Sequence, residues 1–211
     1  MPDVMRLAAE ERGDLTDFLE TLSPDQWETR SLCEAWTVRE VVAHVVSYEQ
    51  LGMPRTVARL LRGRLSLDRT NPIGVEEQAD ASPADLLERL RANLRPRGIT
   101  AGFGGRIGLT NGLIHHQDIR RALGVPREVP PERLLATLPF SLRAIALPSR
   151  RDVRGLRLVA TDLDWRHGYG LEVTGQGEAL LMAIAGRPAA LADLEGPGVP
   201  VLSGRIAARL S

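Results

Sequence analysis

Apolar residues recur at the three- and four-residue spacing of amphipathic helices through the first two thirds of the chain. Helix beginnings carry capping signals, such as Thr37 with Glu40 three residues later, and Ser82 followed by proline. A glycine at position 124 then ends the fourth helix. The pattern predicts helices over residues 3–22, 37–62 (bent near Gly52), 84–94, 110–123 and 131–146, with an irregular connection over 64–81.

The pattern changes after Pro148. The segments GLRLVATD and GLEVTG alternate apolar and polar residues, which favours two short β-strands. QGEALLMAIAG then reads as an apolar helix, and a last short helix follows Gly204. We therefore expect a helical domain over residues 1–148, best built as a four-helix bundle, and a small α+β domain over 149–211. The predicted fold class is α+β, mainly α.

Two of the four histidines stand side by side in the segment LIHHQDIRR. At 100° per residue, Asn111, His115 and Asp118 project from one face of the fourth predicted helix. His116 lies about 100° further around that helix, so the two neighbours cannot face one site. We expect His116 to be a solvated or interdomain residue. His167, in DWRHGYG, reads as a turn residue.

The same arithmetic places His44, Tyr48 and Arg55 on one stripe of the second predicted helix. Polar residues that face inward from two helices of a bundle meet in its core. His44 and His115 therefore form a candidate two-histidine metal site, with a third ligand from the polar face of the fourth helix and water as the fourth. The alternative is a pair of hydrogen-bonded core histidines without a metal.

Composition removes several classes of function. The formal net charge is zero, so nothing indicates electrostatic capture of nucleic acid. All 27 basic residues are arginine, which excludes a Schiff-base lysine and a Walker A lysine. No segment reaches the apolar length of a transmembrane helix, and the first residues do not resemble a signal peptide, so we expect a cytoplasmic protein. The single cysteine, Cys33, reads as a small buried hydrophobic residue.

Three segments together carry a family resemblance: LSPDQWETRSLCEAWTVREVVAHVVSYE (22–49), LIHHQDIRRALG (113–124) and the stretch 155–196 that begins GLRLVATD. Their order resembles that of the mycothiol-dependent maleylpyruvate isomerase-like proteins of the DinB-like superfamily. The resemblance implies an up-down four-helix bundle, often followed by a small C-terminal α/β part. It also implies a divalent metal, commonly zinc, bound by side chains of the second helix and of a later helix.

Carried over position by position, the resemblance places the first and last metal ligands on His44 and His115, which would also be the catalytic residues. The middle ligand falls on Asn111, where the family has an acid or a histidine. A neutral amide is a weaker zinc ligand than either, so Asp118 is a candidate substitute. The residues expected to meet the thiol or an anionic substrate are Tyr48, Arg55 and Asp118.

The activity implied by the resemblance is a mycothiol-dependent S-transferase or isomerase. It would activate mycothiol, the small thiol of actinobacteria, for addition to an electrophilic small molecule. A metal-free DinB-like protein that only binds a small molecule is the alternative, and a structural or regulatory dimer is a third hypothesis. We expect no nucleic-acid or membrane partner, and self-association as a homodimer is left open.

Overall fold

The computed structural model describes residues 3–33, 35–49 and 51–210, and it forms two compact units, Met1–Arg127 and Glu128–Ser211. The α-helices are α1 (Val4–Leu19), α2 (Pro24–Trp27), α3 (Val38–Val46), α4 (Met53–Arg62), α5 (Leu67–Glu76), α6 (Pro83–Ala92), α7 (Arg106–Ala122), α8 (Pro131–Ser141), α9 (Ser149–Asp152), α10 (Gly177–Ile184) and α11 (Val199–Leu210). The strands are β1 (Leu156–Ala160), β2 (Arg166–Gly168), β3 (Leu171–Gly175) and β4 (Leu194–Glu195), and short 3₁₀ helices cover Gly98–Ala101 and Pro188–Asp193. The predicted mainly helical α+β class is confirmed. None of the helices in this described part is long and apolar enough to cross a membrane.

Four helices of the first unit form the bundle. Helix α7 packs against α1 and α3, and α6 packs against the same two helices from the other side. Their apolar faces enclose a core that includes Leu15, Leu19, Val42, Leu86 and Ile119. The predicted four-helix bundle is therefore present, and α3 and α7 are neighbours in it.

Capping side chains fix where two of these helices begin. The Thr37 hydroxyl accepts the backbone N–H of Glu40 at 3.3 Å, and the Glu40 carboxylate accepts the N–H of Thr37 at 2.8 Å. Ser82 and Asp85 form the same reciprocal pair at the start of α6. Both capping boxes satisfy backbone donors that have no partner within the helix. The sequence predicts the box at Thr37, whereas at α6 it indicates only the cap Ser82 with its following proline.

Two connections differ from the prediction. The predicted second helix is divided into α3 and α4, because α3 ends at Val46 and a new helix begins after Gly52 with Pro54 in its first turn. A proline at that position starts a helix more readily than it bends one. The stretch 64–81, predicted as irregular, contains α5. Its internal Pro72 and its narrow buried face, which comprises Thr70, Gly74 and Val75, obscure the helical pattern.

The second unit contains a four-stranded sheet in the order β2-β1-β3-β4. Strand β1 pairs antiparallel with β2 and parallel with β3, and β3 pairs antiparallel with β4. The two predicted strands correspond to β1 and β3. His167 lies on β2 opposite Leu158, so its assignment to a turn is wrong. The structure also divides the chain after Arg127 rather than at 148, because α8 packs against α10 of the second unit.

The two glycines of GYG, where the chain passes from β2 to β3, are needed because two backbone segments approach each other closely. The chain passes the start of β1 here, and Gly168 and Gly170 adopt φ values of +79° and +111°. A Cβ at Gly170 would lie 2.2 Å from the carbonyl oxygen of Gly155, and one at Gly168 would lie 2.3 Å from that of Leu156. Only glycine fits both the positive φ and the short approach.

A buried ion pair joins the segments of the first unit. The side chains of Arg12 on α1 and Glu49 just after α3 form this pair with almost no exposure. Arg12 also donates to the carbonyl of Asn93 at 2.7 Å, and Glu49 accepts the backbone N–H of Arg97 at 3.1 Å. The Thr100 hydroxyl lies 2.8 Å from the same carboxylate. Two desolvated charges are thus matched by each other and by hydrogen bonds from two further segments, the end of α6 and residues 97–100.

We predict that Glu49→Gln destabilises the protein by about 3–5 kcal/mol, because it leaves the buried Arg12 guanidinium without a counter-charge. The matched control is Glu20→Gln, which breaks a pair with Arg91 whose side chains are 39% and 55% exposed. That control should cost less than about 1 kcal/mol. Guanidinium chloride unfolding of both variants gives the comparison, and equal losses would contradict the assignment.

Candidate functional site

Two imidazole rings meet between α3 and α7. The ring centroids of His44 and His115 lie 4.9 Å apart, with the planes at 80° to one another. Both side chains are almost fully buried. They come together because each lies on the inward face of its helix and the two helices are neighbours in the bundle. The juxtaposition expected from helical spacing is therefore present, and the catalytic role of the two residues stays a prediction.

Asp118 holds the ring of His115. Its carboxylate oxygen Oδ2 lies 3.0 Å from Nδ1 of His115, one turn away on the same helix, and the Asp118 side chain is fully buried. An ionised carboxylate only accepts hydrogen bonds, so Nδ1 carries the proton and donates it. Neutral His115 therefore has its lone pair on Nε2.

Asn111 contacts the other ring. Its amide nitrogen lies 3.3 Å from Nε2 of His44, and the side chain is partly exposed. Because an amide N–H donates, Nε2 of His44 accepts in this contact and the proton of that ring lies on Nδ1. The polar side chains predicted on one face of α7 thus each contact one of the two imidazoles.

Trp36 also contacts one of these two histidines, although it was not among the site residues predicted from the sequence. Its ring stacks on His44 with centroids 4.9 Å apart and planes at 30°. Trp36 lies in the loop just before α3, where helical periodicity carries no information. Its position two residues before Val38, the first residue of the helix that carries His44, is the signal that could have identified it. We call Trp36, His44, Asn111, His115 and Asp118 the paired-histidine site.

Tyr48 lies at the edge of this site. Its ring meets His44 edge-on at 6.0 Å, and its hydroxyl donates to Oδ1 of Asn71 at 2.9 Å. The guanidinium of Arg59 lies 5.0 Å from the centre of the Tyr48 ring. Burial raises the pKa of the Tyr48 phenol, although the charge of Arg59 opposes the shift. The phenol is therefore protonated at neutral pH.

Arg55 does not share the stripe of His44, so its predicted position is wrong. Helix α3 ends before Arg55, and the residue lies exposed on α4 instead of on one continuous helix with His44. The arginine that reaches the site's edge is Arg59, which is buried and contacts Tyr48. Its partners lie on other segments, so no local pattern could have identified it.

His116 is fully buried between α7 and α1, which corrects its assignment to a solvated or interdomain position. Its Nδ1 lies 2.8 Å from Oε1 of Glu11, and Nε of Arg120 donates to its Nε2 at 2.8 Å. Arg127 also pairs with Glu11, and the ring of Phe18 stacks on His116 at 5.7 Å. The reason for the error is that α7 is covered on this face by α1 as well as on the face of His115 by α3.

The environment keeps His116 neutral and Glu11 ionised. Burial lowers the pKa of His116 to about 4, and the positive charges of Arg127 and Arg120 act in the same direction against the opposing influence of Glu11. Burial raises the pKa of Glu11, but hydrogen bonds and charges from His116 and Arg127 outweigh it and lower the value to about 2. Since Nε2 of His116 already accepts from Arg120, protonation there would break that contact.

The donor set of the paired-histidine site does not fit the zinc centre that the family resemblance implies. Catalytic zinc sites combine three ligands drawn from histidine, cysteine, aspartate and glutamate. Over the ranges that the structure describes, no group of three such side chains could hold a metal ion. Asp118 contacts Nδ1 of His115, and the third position predicted for a ligand is the amide of Asn111. The site therefore offers two imidazoles and a weak amide donor.

We predict that wild type binds zinc weakly and that Asn111→Glu raises its affinity at least about tenfold. The substitution supplies the carboxylate that turns two histidines into a two-histidine, one-glutamate set. Competition with a chromophoric chelator measures the affinity. Asn111→Ala is the control and should resemble wild type. Unchanged affinity in the glutamate variant would show that position 111 does not share a metal with His44 and His115.

We also predict that the free energy of unfolding falls by about 2 kcal/mol between pH 7 and pH 5 because of His116. A histidine whose folded pKa is lowered stabilises the fold above its unfolded pKa of about 6.5, and this contribution is lost as pH falls towards 4. Urea unfolding across this range measures the slope. His116→Asn should remove most of it, whereas an equal slope in that variant would assign the effect to other groups. The contribution of Glu11 is lost only below about pH 4.5.

Comparison with known proteins finds a family match for part of the chain and solved structures with a similar fold. Residues 8–98 match the model of the mycothiol maleylpyruvate isomerase N-terminal domain. No curated protein matches the chain significantly in sequence. Two solved structures match it over 93% of both chains: a mycothiol-dependent maleylpyruvate isomerase, at 13% identity and a TM-score of 0.56, and a histidine-to-alanine mutant of a mycothiol-dependent maleylpyruvate isomerase, at 14% identity and the same TM-score.

The structural matches show a shared fold that extends over both units of the chain. The family match covers α1 to α6, including the loop of Trp36 and the helix of His44. These findings confirm the resemblance carried by the sequence motifs. Residues 8–98 thus match the N-terminal domain of the mycothiol maleylpyruvate isomerase family, and the rest of the chain shares the fold of the two solved structures.

Proposed function

We propose that the paired-histidine site binds mycothiol and activates its thiol for addition to an electrophilic small molecule. The observation that carries the proposal is the pair of adjacent buried imidazoles, one of which is hydrogen-bonded to a buried carboxylate. The family of the N-terminal region and the two structural relatives, which are described as mycothiol-dependent, support mycothiol as the thiol. The substrate is an electrophile with an activated carbon–carbon double bond.

The chemistry needs a proton acceptor beside the thiol. With Nδ1–H directed to Asp118, His115 accepts the thiol proton at Nε2 and becomes an imidazolium that the carboxylate stabilises. The sulfur lone pair then forms an S–C bond to the electrophilic carbon, and the double-bond electrons move onto the neighbouring carbon. The imidazolium returns a proton to that carbon, which gives the thioether product of S-transfer.

The same intermediate supports isomerisation. Addition of the thiolate converts the carbon–carbon double bond into a single bond, about which the substrate rotates. Breaking the S–C bond then restores the double bond in the other geometry and releases the thiolate. Atoms balance without oxidant or reductant, so one site serves a transferase or an isomerase, and the acceptor decides which product forms.

The surrounding residues supply binding rather than proton transfer. Trp36 covers one face of His44 and limits its ring to one orientation. The protonated Tyr48 phenol borders the same ring, which suits it to contact a polar group of the thiol or of the acceptor. No step of this proposal passes through a metal ion, because the donor set of the site does not fit one.

A second candidate function is a small-molecule-binding protein that uses the same bundle site without thiol chemistry. Asn111 is the observation that favours it, since an amide stands where the family resemblance expects an acidic or histidine ligand. This hypothesis predicts that mycothiol or a related ligand binds with no turnover of any acceptor. Binding and turnover therefore have to be measured separately.

We predict turnover of a maleyl-type acceptor by wild type only when mycothiol is present. Cys33→Ser should retain this activity, because Cys33 is half-buried against the bundle core and is not the proposed nucleophile. His115→Ala should lose at least about 100-fold in turnover, since it removes the proposed proton acceptor. His44→Ala should also lower turnover, because it removes the ring against which His115 packs. Loss of acceptor absorbance follows the reaction, and calorimetry measures mycothiol binding.

The outcomes separate the hypotheses. If Cys33→Ser abolishes turnover, the protein's own cysteine is the nucleophile and the proposed chemistry is wrong. If wild type binds mycothiol without turning over any acceptor, the binding-protein hypothesis replaces the enzyme. If wild type binds no mycothiol at all, the thiol itself is wrongly assigned.

A further inference from the structure

A closed circuit of contacts runs through the paired-histidine site. The Asp118 carboxylate contacts His115 at 3.0 Å, the His115 ring lies against His44, and the His44 ring stacks on Trp36. The loop that carries Trp36 returns to the starting residue, because the backbone N–H of Leu32 donates to the backbone carbonyl of Asp118 at 3.1 Å. Asp118 is therefore linked to both imidazoles, to one through its side chain and to the other through its backbone.

The Trp36 loop is fastened internally, so its anchor point determines where Trp36 lies. The N–H of Ser31 donates to the carbonyl of Trp36 at 3.0 Å, and the N–H of Trp36 donates to the carbonyl of Cys33 at 2.7 Å. The Ser31 hydroxyl adds a contact to the Trp36 carbonyl at 2.9 Å. Leu32, which bonds to Asp118, adjoins Ser31, which bonds to Trp36, so two backbone contacts connect Trp36 to α7.

The carbonyl of Asp118 is unusual for a residue inside a helix because it accepts a bond from outside. In α7 this carbonyl would otherwise serve only the N–H four residues later. The second acceptor lone pair of a carbonyl permits both bonds. The side chain is fully buried, which places it out of reach of a bound solute.

We propose that Asp118 is the positioning residue of the paired-histidine site, an inference that rests on the proposed function. Its carboxylate fixes the ring and the Nδ1–H tautomer of His115, so that Nε2 faces the thiol. Its backbone carbonyl fixes the loop that places Trp36 on His44. This role differs from the two predicted for Asp118 from the sequence, a substitute metal ligand and a contact to the thiol or substrate.

The contact of the Asp118 carboxylate with His115 is tested with Asp118→Asn, which keeps the shape of the side chain and the backbone carbonyl but removes the charge. We expect kcat for the mycothiol-dependent reaction to fall at least about 100-fold, with mycothiol affinity within about threefold of wild type. Nitrogen-15 NMR of the histidine rings provides a second readout. Wild-type His115 should show a protonated Nδ1, and the variant should lose this single tautomer.

The backbone hydrogen bond between Leu32 and Asp118 is tested by substitution of Leu32. Leu32→Pro removes the N–H that donates to Asp118, whereas the matched control Leu32→Ala keeps it. We expect Leu32→Pro alone to change the tryptophan fluorescence and to lower kcat, while the tautomer of His115 is retained. A Trp36→Phe background identifies the signal of Trp36 among those of the three tryptophans.

The results distinguish this inference from the proposed function. If wild type binds mycothiol and turns over, but Asp118→Asn keeps wild-type kcat and the Nδ1–H tautomer, Asp118 does not position His115. If Leu32→Pro and Leu32→Ala have the same tryptophan fluorescence and the same kcat, the backbone carbonyl of Asp118 does not position Trp36. Failure of wild type to bind mycothiol overturns the proposed function and this inference with it.

Discussion

The buried pair of Arg12 and Glu49 is the constraint on which the first unit depends. Two charges removed from water must be matched closely, because either one alone would cost several kcal/mol. Their hydrogen bonds reach α1, the end of α3, the end of α6 and the segment before α7. The network thus ties the end of the helix that carries His44 to α1, to α6 and to the segment that leads into α7, outside the site itself.

The neighbouring histidines of α7 show how environment separates two identical side chains. Each has a carboxylate at Nδ1, but His116 also accepts from Arg120 at Nε2 and lies near Arg127. Its lone pair is occupied and its protonated form is disfavoured, so it serves packing between α1 and α7. The ring of His115 lies on the side of the helix that faces α3 and the ring of His44. We therefore propose proton transfer for His115 and not for His116.

Position 111 limits the donors that the site offers to a metal ion. An amide beside two imidazoles is a poor zinc site, but it retains a hydrogen-bond donor that orients one ring. A buried carboxylate orients the other. The arrangement favours thiol activation by an oriented imidazole on a fold shared with mycothiol-dependent maleylpyruvate isomerase. We therefore propose mycothiol as the thiol, activated by an imidazole instead of the metal ion that the family resemblance implies.

The sequence by itself determined the features that depend on local spacing. Capping boxes at Thr37 and Ser82, apolar periodicity and the three-residue spacing of His115 and Asp118 act within one or two helical turns, so they can be read from neighbouring letters. The bundle class and the meeting of His44 with His115 follow from the same inward faces.

Features that depend on contacts between distant segments could be seen only in the tertiary structure. The division of the second predicted helix left Arg55 in solvent, and the packing of α1 on α7 buried His116 with Glu11. The stacking of Trp36 on His44 required a loop bonded to the backbone of Asp118, 86 residues away from Leu32 by number. The residue type at each of these positions does not indicate its partner, because the burial of a side chain and the charges around it depend on which helix packs over it.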